Sequence, residues 1–358
     1  NTAHVALETL HLLRQLFGLS DAHVGSFVTG ATMSNFVGLA LARQWVGRQQ
    51  GVDVAQQGAA ALAPFPVFSA APHASIYKAL AMLGLGRDAL QPVAALPGRE
   101  AVDVAALAAA LAAQNGRACI VVANAGTVNT VDFDDLAAIA ALRPRYPFWL
   151  HVDAAFGGFA ACTPRYGHLV NGWDAADSIC IDGHKWLNVP YDAAMQFTRH
   201  PRLQLQVFQN AAVYLGAPAG EADFVHRTPE NSRRFRALPA WFTLLAYGRD
   251  GYRELVERNC DQAQALGARL AANSQFELLA PVRLNGVVFT LAGRPPMAAI
   301  RAFLDWLRDD GRLFLTPTQF QGVPAIRISL VNWQTAAKDV DVAWAALQAA
   351  AAHVNNNR

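Results

Sequence analysis

Apolar positions Leu7, Leu10, Leu13, Leu16 and Phe17 recur at helical spacing and Gly18 supplies a stop, which predicts an amphipathic helix over residues 5–17. A short extended piece at 26–29, a glycine turn at Gly30 and a helical period over 32–45 follow. Short apolar runs of strand length then recur at 65–69, 90–94, 119–124, 148–153, 178–182 and 194–198. Helical patterns at 75–83, 104–113 and 133–142 lie between most of them. That alternation predicts an α/β fold with a largely parallel sheet covered on both faces.

From about residue 248 the pattern changes to a long helix over 252–272, shorter strands at 287–291, 313–316 and 326–330, and helices at 297–308 and 340–352. The expected organisation is a large domain over 1–247 and a smaller C-terminal α+β domain over 248–358, with helices covering one face of the smaller sheet. The first helical pattern is already under way at Val5, so the natural chain is expected to begin before Asn1.

In 358 residues, 53% hydrophobic against 16% charged, there is enough apolar surface for an extensive core, which excludes a disordered chain. A formal charge of +2, with arginines scattered rather than clustered, argues against a nucleic-acid partner. No uncharged stretch has a membrane-spanning composition, and no charged leader precedes an apolar core. Cys119, Cys162, Cys180 and Cys260 are far apart, with neither metal-ligand spacing nor a disulfide pattern, so a soluble cytoplasmic protein without a metal is expected.

The strongest chemical signal is Ser178-Ile179-Cys180-Ile181-Asp182-Gly183-His184-Lys185-Trp186, an apolar strand running into a His-Lys pair. A buried lysine is costly unless chemically committed, and a desolvated amine is the nucleophile that condenses with an aldehyde cofactor. By itself Lys185 could equally be a strand-end lysine pointing to solvent. The context is His151-Val152-Asp153-Ala154-Ala155-Phe156-Gly157-Gly158, at the end of another apolar strand. Parallel strands bring their carboxyl ends to one rim, so Asp153 and Lys185 are expected to converge there. A carboxylate beside a pyridine nitrogen keeps it protonated and makes the ring an electron sink, and small Ala155 leaves room for such a ring.

Gly30-Ala31-Thr32-Met33-Ser34-Asn35 sits between a short strand and a helix, where backbone N–H groups and the Thr32 hydroxyl can hold a phosphate; an ordinary N-cap is the plainer alternative. His73 opens a helix and could stack on a pyridine face or merely cap that helix. Thr127, in Gly126-Thr127-Val128, follows another strand and faces the same rim, where it could contact a cofactor or a substrate oxygen. A dinucleotide-binding oxidoreductase is disfavoured, because the glycine fingerprint and its acidic partner are missing.

These segments, in this order, resemble the group II pyridoxal-phosphate-dependent decarboxylases, which include aromatic-L-amino-acid, glutamate and 2,4-diaminobutyrate decarboxylases. The likeness continues through Ser232-Arg233-Arg234-Phe235-Arg236-Ala237-Leu238-Pro239 and Arg327-Ile328-Ser329-Leu330-Val331-Asn332. The resemblance implies the PLP-dependent transferase fold (fold type I), with a mainly parallel sheet of the seven-stranded type. It also implies a homodimer with interfacial active sites, lacking here an N-terminal helical segment, and pyridoxal 5'-phosphate as cofactor.

By position, it implies that Lys185 forms the Schiff base, Asp153 pairs with the pyridine nitrogen, His73 stacks on the ring and His184 lies in the same wall. Ala31 and Thr32 would bind the phosphate, with Thr127 and Ala155 beside the cofactor. The expected reaction is decarboxylation of an L-amino acid to an amine and carbon dioxide. Alternatives are aldehyde synthesis, aminotransfer or carbon–carbon lysis at the same site, or a non-catalytic binding module.

Three positions depart from the family pattern. Val128 stands where many relatives have a second threonine, and Asp182 stands where some have an asparagine beside the phosphate. In the loop over 220–231, Phe224 falls at about the place of the tyrosine of aromatic-amino-acid decarboxylases, so either His226 or His184 supplies the proton that a phenyl ring cannot, or the outcome of the reaction differs.

Overall fold

A computed structural model of the chain describes residues 2–210 and 224–356. By compactness the chain divides into two units: Asn1–Thr127 with Phe133–Tyr252, and Val128–Asp132 with Arg253–Arg358. The boundary expected at 247/248 therefore falls five residues later, and a short stretch from the middle of the chain belongs to the second unit.

The first unit is built on strands β1 (Val24–Val28), β2 (Val67–Ser69), β3 (Leu90–Pro92), β4 (Cys119–Asn124), β5 (Phe148–Asp153), β6 (Ser178–Asp182) and β7 (Ala194–Thr198). They form one seven-stranded sheet in the order β1-β7-β6-β5-β4-β2-β3. Only β7 runs against its neighbours β1 and β6; the remaining pairings are parallel. Every residue of β4, β5, β6 and β7 is buried, as expected for central strands covered on both faces. The continuous apolar runs in the sequence have this physical origin.

Its helices are α1 (Thr2–Leu16), α2 (Ala31–Gln49), α3 (Val54–Gln57), α4 (Ala74–Met82), α5 (Val104–Ala112), α6 (Leu136–Ala140) and α7 (Pro201–Phe208). Helix α1 buries Leu10, Leu13 and Leu16, and the chain turns away at Gly18 with φ 65°. The Asp103 carboxylate caps α5 by accepting from the N–H groups of Ala105 and Ala106, which stabilises such a helix end by about 1 kcal/mol. The helix expected over 133–142 is shorter, because Phe133 bridges to Ala125 and Asp135 caps α6 only afterwards.

Helix α8 (Ala237–Ala271) carries the chain from the first unit into the second and is broken by non-helical backbone at Gly248. The second unit holds β8 (Phe276–Leu278), β9 (Gly286–Leu291), β10 (Thr316–Phe320) and β11 (Val323–Ser329), an antiparallel sheet in the order β10-β11-β9-β8. Helices α9 (Met297–Asp310) and α10 (Ala337–Asn356) pack on it through Phe276, Phe289, Phe303, Leu307, Ile326 and Leu347. The strand expected at 313–316 lies further along, as β10. Asn129 and Thr318 share a hydrogen bond of 2.6 Å, and Arg283 pairs with buried Asp132 at 3.2 Å.

Among the described residues, no helix is long and apolar enough to cross a membrane, and no group of three His, Cys, Asp or Glu could hold a metal ion.

Candidate active site

Strands β5 and β6 pair in parallel with Asp153 opposite Cys180, so both end on one rim of the sheet, where Asp153 stands and the chain runs on to Asp182, His184 and Lys185. Cys180 ties the parts together. Its Sγ lies 3.5 Å from the Ala31 carbonyl. Burial pushes its thiol well above the usual range; Asp153 and Asp182 act the same way, and Lys185 pulls it back. Ala31 thus touches the Cys180 side chain and Asp153 stands opposite it across the paired strands.

Asp153 is only 7% exposed. Its Oδ1 accepts from the Ala155 N–H at 3.1 Å and its Oδ2 from Asn35 Nδ2 at 2.9 Å. A buried carboxylate without donors would be costly, and each oxygen here keeps capacity for a further donor.

Helix α2 begins at Ala31 after Gly30, whose side has no atom within 4 Å of where a Cβ would stand. No side chain caps this helix, so Thr32 does not play the plainer capping role. The result is an open, uncapped helix N-terminus of the kind that binds phosphate. His73 caps α4 instead: its Nδ1 accepts from the Ser75 N–H at 3.2 Å and stands 2.8 Å from Ser75 Oγ. Ser75 Oγ in turn accepts from Asn35 Nδ2 at 3.0 Å, which links His73 to Asp153 through two side chains.

Lys185 is 26% exposed at its side chain, so desolvation is not what singles it out, contrary to the argument from burial. Its Nζ stands 3.8 Å from Asp182 Oδ2 and 4.9 Å from the centre of the Phe156 ring. Asp182 Oδ1 faces His184 Nδ1 at 2.7 Å, and the His184 ring lies against Tyr191 with centroids 4.2 Å apart. Asp182 thus has the His184 ring and the Lys185 ammonium beside it, and that positive charge offsets the repulsion a carboxylate beside a phosphate would cause.

The remaining sequence candidates carry other contacts. Thr127 is buried, with its hydroxyl bonded to Glu100. His226 is buried with Nδ1 accepting from the Asn210 N–H at 3.0 Å, a commitment to the backbone rather than to a reacting group. Phe224 is buried beneath the Arg233 guanidinium, 4.8 Å from its ring centre. The part of the loop at 220–223 lies outside the described residues. Arg327 donates to the Val128 carbonyl at 2.7 Å, a support within the second unit.

An electrophilic aldehyde needs an amine, a pyridine nitrogen needs a carboxylate, and a phosphate needs free N–H donors; all three are present on one rim. The model of the pyridoxal-dependent decarboxylase conserved domain matches residues 2–292. The chain belongs to this family.

Among curated relatives, the aromatic-L-amino-acid decarboxylase of Drosophila melanogaster is 31% identical over 228 residues, covering 63% of this chain and 44% of the relative. The histidine decarboxylase of the same fly is 33% identical over 236 residues, covering 65% of this chain and 28% of the relative. The chain spans about half the length, or less, of the curated relatives it matches. In fold, it is similar to Oryza sativa TDC solved with PLP and tryptamine, with TM-score 0.89 at 22% identity over 98% of this chain and 76% of that one. Mouse CSAD gives 0.88 at 24% identity over the same shares. The seven-stranded, mostly parallel sheet is that of the fold-type-I decarboxylases.

Family membership implies pyridoxal phosphate, and the residues fit it: an uncapped helix start with open space at Gly30, a buried carboxylate with free lone pairs, an imidazole at the head of α4, and an amine on the rim. Asn35, Ser75, Ser178 and Phe156 are the site residues that pattern reading missed. Asn35 was within reach, since a polar residue one turn into the helix, just before the apolar run over 36–42, invites the question of its partner.

Proposed function

We propose that this chain releases carbon dioxide from an L-amino acid and yields the amine, using pyridoxal phosphate bound covalently through Lys185. The observation that carries the reading is that Asp153 ends β5 while Lys185 follows closely after the end of its parallel neighbour β6, on the same rim of the sheet. When bound, the cofactor supplies an electron sink for the pair left behind as carbon dioxide departs.

The Asp153 carboxylate would keep the pyridine nitrogen protonated, the His73 imidazole would lie against the ring, and the Ala31 and Thr32 N–H groups with the Thr32 hydroxyl would hold the phosphate. Lys185 Nζ would be the amine that holds the cofactor's aldehyde carbon. His184, whose Nδ1 lies 2.7 Å from the Asp182 carboxylate, is the imidazole on this rim that would return a proton to the substrate Cα, from Nε2 when that nitrogen carries one. Lys185→Ala should abolish both the cofactor absorbance that survives gel filtration and carbon dioxide release. Retention of either one removes Lys185 from this role.

Phe224 at the tyrosine position favours a second reading, in which the same site, with dioxygen as two-electron oxidant reduced to hydrogen peroxide, delivers an aldehyde and ammonia along with carbon dioxide; the 3,4-dihydroxyphenylacetaldehyde synthase of Aedes aegypti is 30% identical over 229 residues. Carbon dioxide, ammonia, amine and aldehyde measured from one incubation separate the two, since amine in step with carbon dioxide supports decarboxylation alone. A homodimer fits the exposed Leu238, Phe242 and Leu245 on one face of α8, an apolar stripe that a second copy would cover. Light scattering on the purified chain tests it, and Phe242→Glu should shift the mass to that of the monomer.

A further inference from the structure

A polar chain runs through the interior of the first unit. Trp149 Nε1–H donates to Ser178 Oγ at 2.9 Å, and that oxygen lies 2.8 Å from His151 Nδ1. His151 Nε2 lies 2.9 Å from Asn35 Oδ1. Asn35 Nδ2 then serves both Asp153 Oδ2 and Ser75 Oγ, and Ser75 Oγ reaches His73 Nδ1 at 2.8 Å. Trp149, Ser178, His151 and Asn35 are all fully buried, and Ser75 nearly so.

The direction of every proton follows from one end. A carboxylate only accepts, so the Asn35 group facing Asp153 is its NH2 and the group facing His151 is its carbonyl. The carbonyl requires a proton on His151 Nε2. Burial pushes the His151 pKa down to about 4, against a smaller opposing pull from Asp153, so the ring is neutral and Nδ1 is an acceptor. Ser178 therefore gives its proton to His151 while its lone pair takes the Trp149 N–H. On the other branch, Ser75 accepts from Asn35 and turns its own proton to His73 Nδ1. A neutral His73 is then left with its proton on Nε2.

A second, independent feature marks the same place. Gly38 lies within α2, where glycine costs about 1 kcal/mol relative to alanine. A Cβ there would stand 2.6 Å from His151 Cε1 and 2.7 Å from His151 Nδ1. The helix gives up propensity at the one position where the imidazole presses against its backbone.

We propose that Asn35 and His151 are positioning residues of the cofactor site: through one branched hydrogen-bond chain they aim the Asp153 carboxylate and, together with the Ser75 backbone N–H, oblige His73 to present an Nε2–H. The functional meaning rests on the reading of Asp153 and His73 as cofactor contacts, whereas the proton arrangement is testable without cofactor.

The experiment is a long-range 1H–15N spectrum of the cofactor-free full chain labelled at histidine nitrogens, near pH 7.5. His151 and His73 should both be neutral with the proton on Nε2. In Ser75→Ala the His73 Nδ1 resonance should move because the hydroxyl donor is lost, while the residue-75 backbone N–H still keeps the ring proton on Nε2, and Ser75→Thr should restore the resonance. Loaded with cofactor, Ser75→Ala should lower kcat about 3- to 10-fold with KM little changed, the scale of one hydrogen bond, and Ser75→Thr should recover it. A doubly protonated His151, a His73 carrying its proton on Nδ1, or a His73 signal indifferent to Ser75→Ala would each overturn the proposal. None of these outcomes depends on Lys185, so failure here and failure of the Lys185→Ala test are separate results.

Discussion

At the scale of the residue, the site is a matter of which groups are allowed no freedom. Asp153, Asn35 and His151 are buried and mutually satisfied, and leaving one such group without its partner costs about 1–3 kcal/mol. Gly38→Ala tests how tightly this is built. Despite the better helix former, the cofactor-free protein should lose about 1–3 kcal/mol, read from denaturant midpoints at constant m. A gain in stability would mean that His151 can retreat.

The chemistry-bearing residues were legible because an apolar strand ending in Asp-Ala-Ala and another ending in His-Lys-Trp are unusual sequences. Their supports were not, since Ser75, Ser178 and Asn35 are common residues whose meaning comes only from contacts far along the chain. Lys185 shows the limit in the other direction. Its motif pointed to the right place, but the argument from burial does not hold for a side chain that keeps a quarter of its exposure beside Asp182.

Among elements, the central strands β4 to β7 were readable to the residue, because strands buried on both faces must be apolar throughout. The periphery was harder. Strand β10, Thr-Pro-Thr-Gln-Phe, is polar and carries Pro317, as an edge strand can, and pairs only with β11. The signal that would have located it is the two-residue turn Gln321-Gly322, both at positive φ, which suits the twist of a hairpin. Helix α8 was read from Tyr252 onward, whereas its first part precedes the break at Gly248, with φ 59° and ψ −170°. That conformation is open essentially to glycine alone. Gly248→Ala should therefore cost about 1–3 kcal/mol although a Cβ would meet no atom within 4 Å, and thermal unfolding followed by circular dichroism should show a lowered midpoint. An unchanged or raised midpoint would count against a strained turn.

For the molecule as a whole, acid should act through buried histidine before it acts on carboxylates. His151 is held neutral by burial at a pKa of about 4, against about 6.5 in an unfolded chain, and burial lowers His23 in the same direction. The unfolded state then binds more protons between those values, so stability is complete above about pH 6.5 and falls as pH drops toward 4. His151 alone accounts for a loss of about 3 kcal/mol across that window. Urea unfolding of the cofactor-free protein at pH 7.5 and pH 5 should show the decline, and His151→Gln should flatten it; an equal slope in the variant would assign the effect elsewhere.

One feature of the chain's path bears on how it can be dissected. The second unit is not a continuous tail, because Val128–Asp132 completes it, bringing Asp132 to Arg283, Asn129 to Thr318 and Val131 against Gly286. A fragment starting at Arg253 would carry a cationic side chain with its carboxylate left on another piece, and a glycine facing a gap in place of valine. On the ribosome, this part of the fold can finish only with a stretch synthesised long before it, and a protease cut at 252 would not release an intact module.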